Sequence, residues 1–159
     1  AVTGHLVMMT LHTDDAVSAL IRLVDMGIEP FLVGATVIGI VSQRLVRKVC
    51  PNCKTPVEAD PESPVMKALG ITAEDLASRT LYKGKGCEAC RNTGYKGRTG
   101  VYEVLKMDKE LGSMLVRRQP LREILDAACA KGFTTMREDA KRKVLDGLTT
   151  PEEAFRVLA

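Results

Sequence analysis

Gln43-Arg44-Leu45-Val46-Arg47-Lys48-Val49-Cys50-Pro51-Asn52-Cys53 ends in a two-cysteine turn, and Gly84-Lys85-Gly86-Cys87-Glu88-Ala89-Cys90 ends in another. Each C-x2-C pair lets two sulfurs converge on one point. Two such pairs supply the four thiolates of a tetrahedral zinc site, with Zn–S of about 2.3 Å. Gly84, Gly86 and Gly94 flank the second pair and suit the backbone bends that sulfur convergence demands. Two disulfides or two independent redox pairs would use the same residues. The lack of a visible secretory signal and the odd fifth cysteine, Cys129, favour one metal shared by Cys50, Cys53, Cys87 and Cys90. Four thiolates leave no coordination position open to water or substrate, so this zinc reads as structural.

At 159 residues and 45% hydrophobic, the chain can bury one real core and still carry a small metal-pinned unit. A net charge of +3 excludes a strong polyanion binder as a whole. The charge is uneven, however: Arg79, Lys83, Lys85, Arg91, Lys96 and Arg98 face a single acidic neighbour, Glu88. That run can meet phosphates or serve as an ordinary solvated face. The longest apolar run, Phe31 to Val41, is far shorter than the roughly 20 residues that span a bilayer. It reads as a buried helix that opens at Pro30 and continues to Lys48, with Arg44 and Arg47 one turn apart on the same face.

His5 to His12 is a short apolar run that suits a buried strand. Thr13 and Asp14 then offer an N-cap and first-turn charge to a helix carrying Val17, Leu20, Ile21 and Val24, stopped by Gly27. Lys54 to Pro64 reads as a loop, and Thr72 with Asp75 as a capping box. Gly94 to Gly100 is a turn-rich connection into a strand at Val101–Leu105. Leu121, Ile124, Leu125, Ala128 and Cys129 make an apolar stripe, which predicts Cys129 as a small buried hydrophobe rather than a reactive thiol. Thr135 with Glu138, and Thr150-Pro151-Glu152-Glu153, open two final helices. The class is α/β, mostly helical.

Several of these segments together resemble one family. Thr3-Gly4-His5-Leu6-Val7, continuing to Thr10-Leu11-His12-Thr13, is similar to the histidine box of secretion ATPases. Gln43 to Cys53, Gly94-Tyr95-Lys96-Gly97-Arg98-Thr99-Gly100-Val101-Tyr102-Glu103 and Thr135-Met136-Arg137-Glu138-Asp139 resemble the segments downstream of that box in the GspE/PilB branch, the type II secretion and type IV pilus assembly ATPases. The chain departs from the common pattern at Met9 and Asp14. The resemblance implies the C-terminal part of a RecA-like P-loop NTPase domain, with a tetracysteine zinc subdomain and an α-helical C-terminal extension. The expected division is 1–49, 50–105 and 106–159.

The resemblance also implies a homo-hexameric ring, cytoplasmic and peripheral at the inner membrane, that uses ATP and Mg²⁺ to move an inner-membrane platform protein. Within that reading His12 contacts the γ-phosphate, His5 supports it, and Thr10 and Thr13 are hydroxyl partners. Arg44 and Arg47 either meet nucleotide, a neighbouring subunit or a carboxylate, or serve as ordinary surface residues. No G-x-x-x-x-G-K-[ST] phosphate cradle occurs in the sequence. A chain beginning at Ala1 is therefore expected to be a fragment that does not hydrolyse ATP alone. The competing readings are a stand-alone zinc ribbon binding nucleic acid or protein, and a thiol redox protein. Modest net charge and the lack of aromatic runs argue against nucleic acid, and no βαβ context surrounds either C-x2-C.

Overall fold

The computed structural model describes residues 3 to 158. In chain order the elements are α1 (Ala16–Asp25), α2 (Pro30–Thr36), β1 (Gly39–Val49), β2 (Lys54–Val57), α3 (Pro64–Leu69), α4 (Ala73–Ser78), β3 (Leu81–Gly84), β4 (Tyr95–Lys106), α5 (Lys109–Val116), α6 (Leu121–Ala130), α7 (Met136–Leu145) and α8 (Pro151–Leu158). β1 and β4 form one two-stranded sheet, and β2 and β3 another. The chain divides into two compact units, each made of two stretches: Ala1–Ser42 with Glu103–Thr135, and Gln43–Tyr102 with Met136–Ala159.

The first unit is a helical core. Val17, Leu20 and Leu23 of α1 pack with Val33 of α2, Leu111 and Leu115 of α5, and Ile124 and Ala128 of α6. Each such aliphatic side chain, fully buried, contributes about 1.5–3 kcal/mol. Gly34 and Gly112 let α2 and α5 approach closely, because a Cβ on Gly34 would stand 3.0 Å from the Gly112 backbone. The cap of α1 is Asp15, not Thr13: its carboxylate accepts the Ser18 amide and hydroxyl, each at 2.6 Å. Buried Glu103 accepts the Ala16 amide.

Three further expectations for this unit are corrected. Residues 5 to 12 take no regular structure, and Leu6, Val7, Met8 and Met9 are exposed. An extended apolar segment becomes a buried strand only when a neighbour accepts its backbone bonds and its side chains, and no such pairing forms among the described residues. Cys129 is exposed, since the buried positions of α6 are Ile124 and Ala128. The helix opened by Pro30 ends at Thr36 rather than Lys48.

Beyond Thr36 the chain enters the strand β1, which runs on into the second unit. Val37-Ile38-Gly39-Ile40-Val41 combines β-branched residues with a glycine, a sequence that resists helix. Along β1 burial alternates with period two: Ile40, Ser42, Arg44 and Val46 are more covered than Val41, Gln43, Leu45 and Arg47. Arg44 and Arg47 therefore lie on opposite faces of a strand.

The second unit packs Val46, Val101 and Leu81 with Met66, Leu69, Ile71, Met136, Ala140, Val144 and Ala154. Thr72 and Asp75 form the capping box expected from their spacing, and Thr150 caps α8 by accepting the Glu153 amide at 3.2 Å. Lys54 to Val57 is a strand rather than a loop, pairing antiparallel with β3 from Lys54↔Gly84 to Val57↔Leu81. β4 likewise begins at Tyr95, inside the stretch expected to be turn.

Candidate metal centre

The β2–β3 pairing brings the two knuckles together. β1 ends at Val49, whose amide donates to the Leu148 carbonyl, and the Cys50 amide donates to Gly94 at 2.9 Å. A tight turn returns the Cys53 amide to the Cys50 carbonyl at 3.3 Å, and β2 departs. The chain comes back along β3, and the Lys85 amide donates to Cys53 at 3.0 Å. The second knuckle is a single 3-10 turn, Glu88–Cys90, after which Arg91 and Asn92 take left-handed φ of 53° and 58°. Gly84 and Gly94 cross at closest range: a Cβ on Gly84 would lie 2.0 Å from the Gly94 carbonyl oxygen. Only glycine fits there.

The four Sγ atoms lie within 4.8 Å of one another, with Cys50–Cys87 at 3.9 Å, Cys53–Cys90 at 3.9 Å and Cys87–Cys90 at 3.7 Å. A tetrahedron with metal–sulfur bonds of about 2.3 Å has edges of about 3.8 Å. A disulfide needs about 2.05 Å, so the four are thiols around a common point. The donor set fits a thiophilic divalent cation with closed coordination.

The local backbone also prepares for negative sulfur. The Cys87 and Gly94 amides donate to Cys90 Sγ at 3.2 and 3.3 Å. Burial pushes the Cys90 thiol up, but these amides and the neighbouring thiols outweigh it and bring it down to about 6. Burial pushes the Cys53 thiol up as well, and there the surrounding thiols add to it, to about 12 despite a bond from the Gly86 backbone. Cys90 is thus shifted towards its thiolate and Cys53 towards its thiol.

Beside the knuckles lies a buried polar clamp that no sequence motif assembles. Glu153, fully buried on α8, accepts the Arg47 amide at 3.0 Å and the Arg47 guanidinium at 2.7 Å. Arg156 donates to the same carboxylate at 3.0 and 2.7 Å. Burial alone would raise the Glu153 carboxyl, yet the two guanidinium groups hold it at about 2. Arg47 stacks over Tyr95, whose hydroxyl meets Thr150 at 2.8 Å, and the Thr149 hydroxyl donates to the Arg47 carbonyl. Arg44 donates to the Val157 carbonyl at 2.6 Å. Both arginines are thus engaged with the C-terminal helix. The available signal is Glu153 at the third position of a capped helix, but its partner lies 106 residues away.

The histidine segment belongs to the other unit. His5 and His12 are exposed, as is Thr10; His5 Nδ1 is 3.1 Å from the Thr3 hydroxyl. The Thr13 hydroxyl donates to the Asp15 carbonyl at 3.2 Å, which ties the segment to the cap of α1.

A family model described as type II/IV secretion system protein matches residues 1–156. Among curated proteins, the type IV pilus assembly ATPase PilB of Thermus thermophilus is 48% identical over 155 residues, covering 98% of this chain and 17% of that protein. The type II secretion system protein E of Pseudomonas aeruginosa is 44% identical over 157 residues, covering 99% and 30%. The type II secretion system ATPase E of Vibrio cholerae is 41% identical over 157 residues, again covering 99% and 30%. The chain thus spans between 17% and 30% of the length of these relatives.

Proposed function

The chain belongs to the type II/IV secretion system protein family, and from that premise we propose that it is the C-terminal part of a hexameric, ATP-driven secretion or pilus-assembly motor with a RecA-like core and a structural zinc subdomain. The observation that carries this reading is the four-cysteine cluster, its ligand atoms within 4.8 Å of one another, inside a chain matched to the family over residues 1–156.

Cys50, Cys53, Cys87 and Cys90 would hold the zinc. When bound, it supplies a closed tetrahedral crosslink and no reactive coordination position. The Gly94 carbonyl and amide then link both knuckles, through Cys50 and Cys90. Through Tyr95, Arg47 and Glu153 the same ends reach α8.

In the parent protein, ATP and Mg²⁺ would be bound by a phosphate cradle outside these residues. His12 would contact the terminal phosphate, supported by His5, Thr10 and Thr13. Support comes from the direct tie between Thr13 and the Asp15 cap of α1: a phosphate that draws on this segment pulls on the start of a helix. Arg44 and Arg47 would meet nucleotide or a neighbouring subunit only by giving up Val157 and Glu153. The ring, the platform partner and a cytoplasmic site peripheral to the inner membrane belong to this same proposal. Among the described residues no helix is long and apolar enough to cross a membrane.

The test uses a protein of the relatives' length carrying this region. His12→Ala should lower ATP turnover by about tenfold or more while nucleotide still binds, the signature of a sensor rather than a scaffold. Unchanged turnover would contradict the sensing role. The present chain alone should show no Mg²⁺-dependent ATP hydrolysis, and reproducible turnover would contradict the placement of the cradle elsewhere.

A further inference from the structure

Glu103 is a carboxylate in an apolar place. Along β4 the covered positions are Val101, Glu103 and Leu105, and the exposed ones between and after them are Tyr102, Val104 and Lys106. Val101 and Leu105 are almost wholly buried, and only 5% of Glu103 is exposed. A carboxylate at such a position costs free energy unless it is satisfied, and an apolar side chain of similar volume often serves a core as well or better. Here the carboxylate accepts the Ala16 amide, the first of α1, 87 residues away in sequence. Capping alone does not call for it. Asp15 already caps the same helix, accepting the Ser18 amide and hydroxyl at 2.6 Å. α1 thus begins between two carboxylates, one from its own turn and one from a strand.

What distinguishes this helix is the segment attached to it. Glu103, α1 and the histidine segment all belong to the same unit. The histidine segment runs directly into the cap, where the Thr13 hydroxyl donates to the Asp15 carbonyl. His12 lies four residues before Ala16, within about 14 Å of extended chain. Among the described residues no strand pairing holds residues 5 to 12, so the start of α1 is their anchor. We propose that Glu103 is a positioning residue: by gripping the first amide of α1, it sets where His12 stands relative to nucleotide. The inference rests on the reading of His12 as the phosphate contact and deepens it, naming a residue from outside the histidine box. The two carboxylates also exclude a phosphate seated on the N-terminus of α1 itself. The Ala16 and Ser18 amides it would use are taken, and the negative charge there repels it.

The experiment uses a protein of the relatives' length carrying this region, with the variants Glu103→Met, Glu103→Gln, Leu105→Ala and His12→Ala. Methionine is close to glutamate in volume and removes a buried charge, so the fold survives, but it cannot accept the Ala16 amide. A misplacement of about 1 Å costs on the order of 100-fold in rate. E103M should therefore lower ATP turnover by about tenfold or more while ATP affinity stays within about threefold. Glutamine still offers an acceptor oxygen, and E103Q should recover most of the lost turnover. L105A opens a cavity on the same face of β4; it should lower the melting temperature more than E103M does, yet leave turnover within about twofold. Adding E103M to H12A should cost less than about twofold further, because the two act as one unit. In the present chain, amide exchange at Ala16 should quicken by about tenfold or more in E103M. Unchanged exchange at Ala16, unchanged turnover in E103M beside a loss in H12A, an E103Q variant no better than E103M, or an equal loss in L105A overturns the proposal and leaves the His12 reading standing. A loss in E103M with none in H12A overturns both.

Discussion

The knuckle region and the helical core of the other unit are held by different forces. Between residues 82 and 98 only Cys90 and Gly94 are buried, and the chain there is shaped by sulfur convergence, glycine crossings and a few backbone bonds. In the helical unit Leu20, Leu111 and Ile124 are almost wholly buried, and burial of apolar area supplies the stability. A region of the first kind depends on what its thiols bind. A region of the second kind depends on its own packed apolar side chains.

Removing the metal should break that comparison most widely. Structural zinc contributes on the order of 10 kcal/mol in small domains that fold on binding it. After chelation, amide exchange should lose its protection from Cys50 to Arg98 while α1, α5 and α6 keep theirs. Unchanged protection around the knuckles after confirmed metal removal would count against a structural role for the cation.

The Glu153 clamp sharpens the comparison inside one unit, because it is polar and buried yet needs no metal. Glu153→Ala removes charge-assisted bonds and leaves the Arg47 amide without its acceptor, while the half-exposed guanidinium groups can return to water. Urea unfolding should show a loss of about 2–3 kcal/mol. The pH dependence has a fixed sign. The folded carboxyl lies at about 2, below its ordinary 4.5, so its stabilisation is complete above the ordinary value and is lost as pH falls towards 2. Glu153→Ala should flatten that part of the acid profile, and an unaltered profile would rule the clamp out as its source.

The smallest effect lies in the helical unit. Gly34→Ala puts a methyl 3.0 Å from the Gly112 backbone, and neither backbone can yield without moving a helix. Thermal melts should report a loss of about 1–3 kcal/mol, with the reactivity of the four cysteines unchanged. A change in thiol reactivity would show that the two regions are not independently held.

Features that depend on local spacing are legible in the sequence. The four cysteines, the Thr72–Asp75 capping box and the Thr150 cap of α8 each obey a rule spanning a few residues, and each is found where that rule puts it. β1 reads as helix because its apolar run is long enough for one, and its period of two emerges only with β4 beside it, some fifty residues later. The β2 strand is hidden for the same reason: Lys54-Thr55-Pro56-Val57 has little pattern of its own and is fixed by Leu81–Gly84. The Arg47–Glu153 clamp is a long-range pairing that no local pattern announces. The exposure of Cys129 and of Leu6 to Met9 comes from packing, which an apolar stripe predicts only when a partner surface is present.

Zinc-edge X-ray absorption, on protein purified without chelators and paired with elemental analysis, bears most directly on the metal centre. One zinc per chain surrounded by four sulfurs at about 2.3 Å is the expected result. Metal-free protein whose native state exposes all five cysteines to a thiol reagent at one rate, or a zinc shell of mixed nitrogen and oxygen donors, would contradict it.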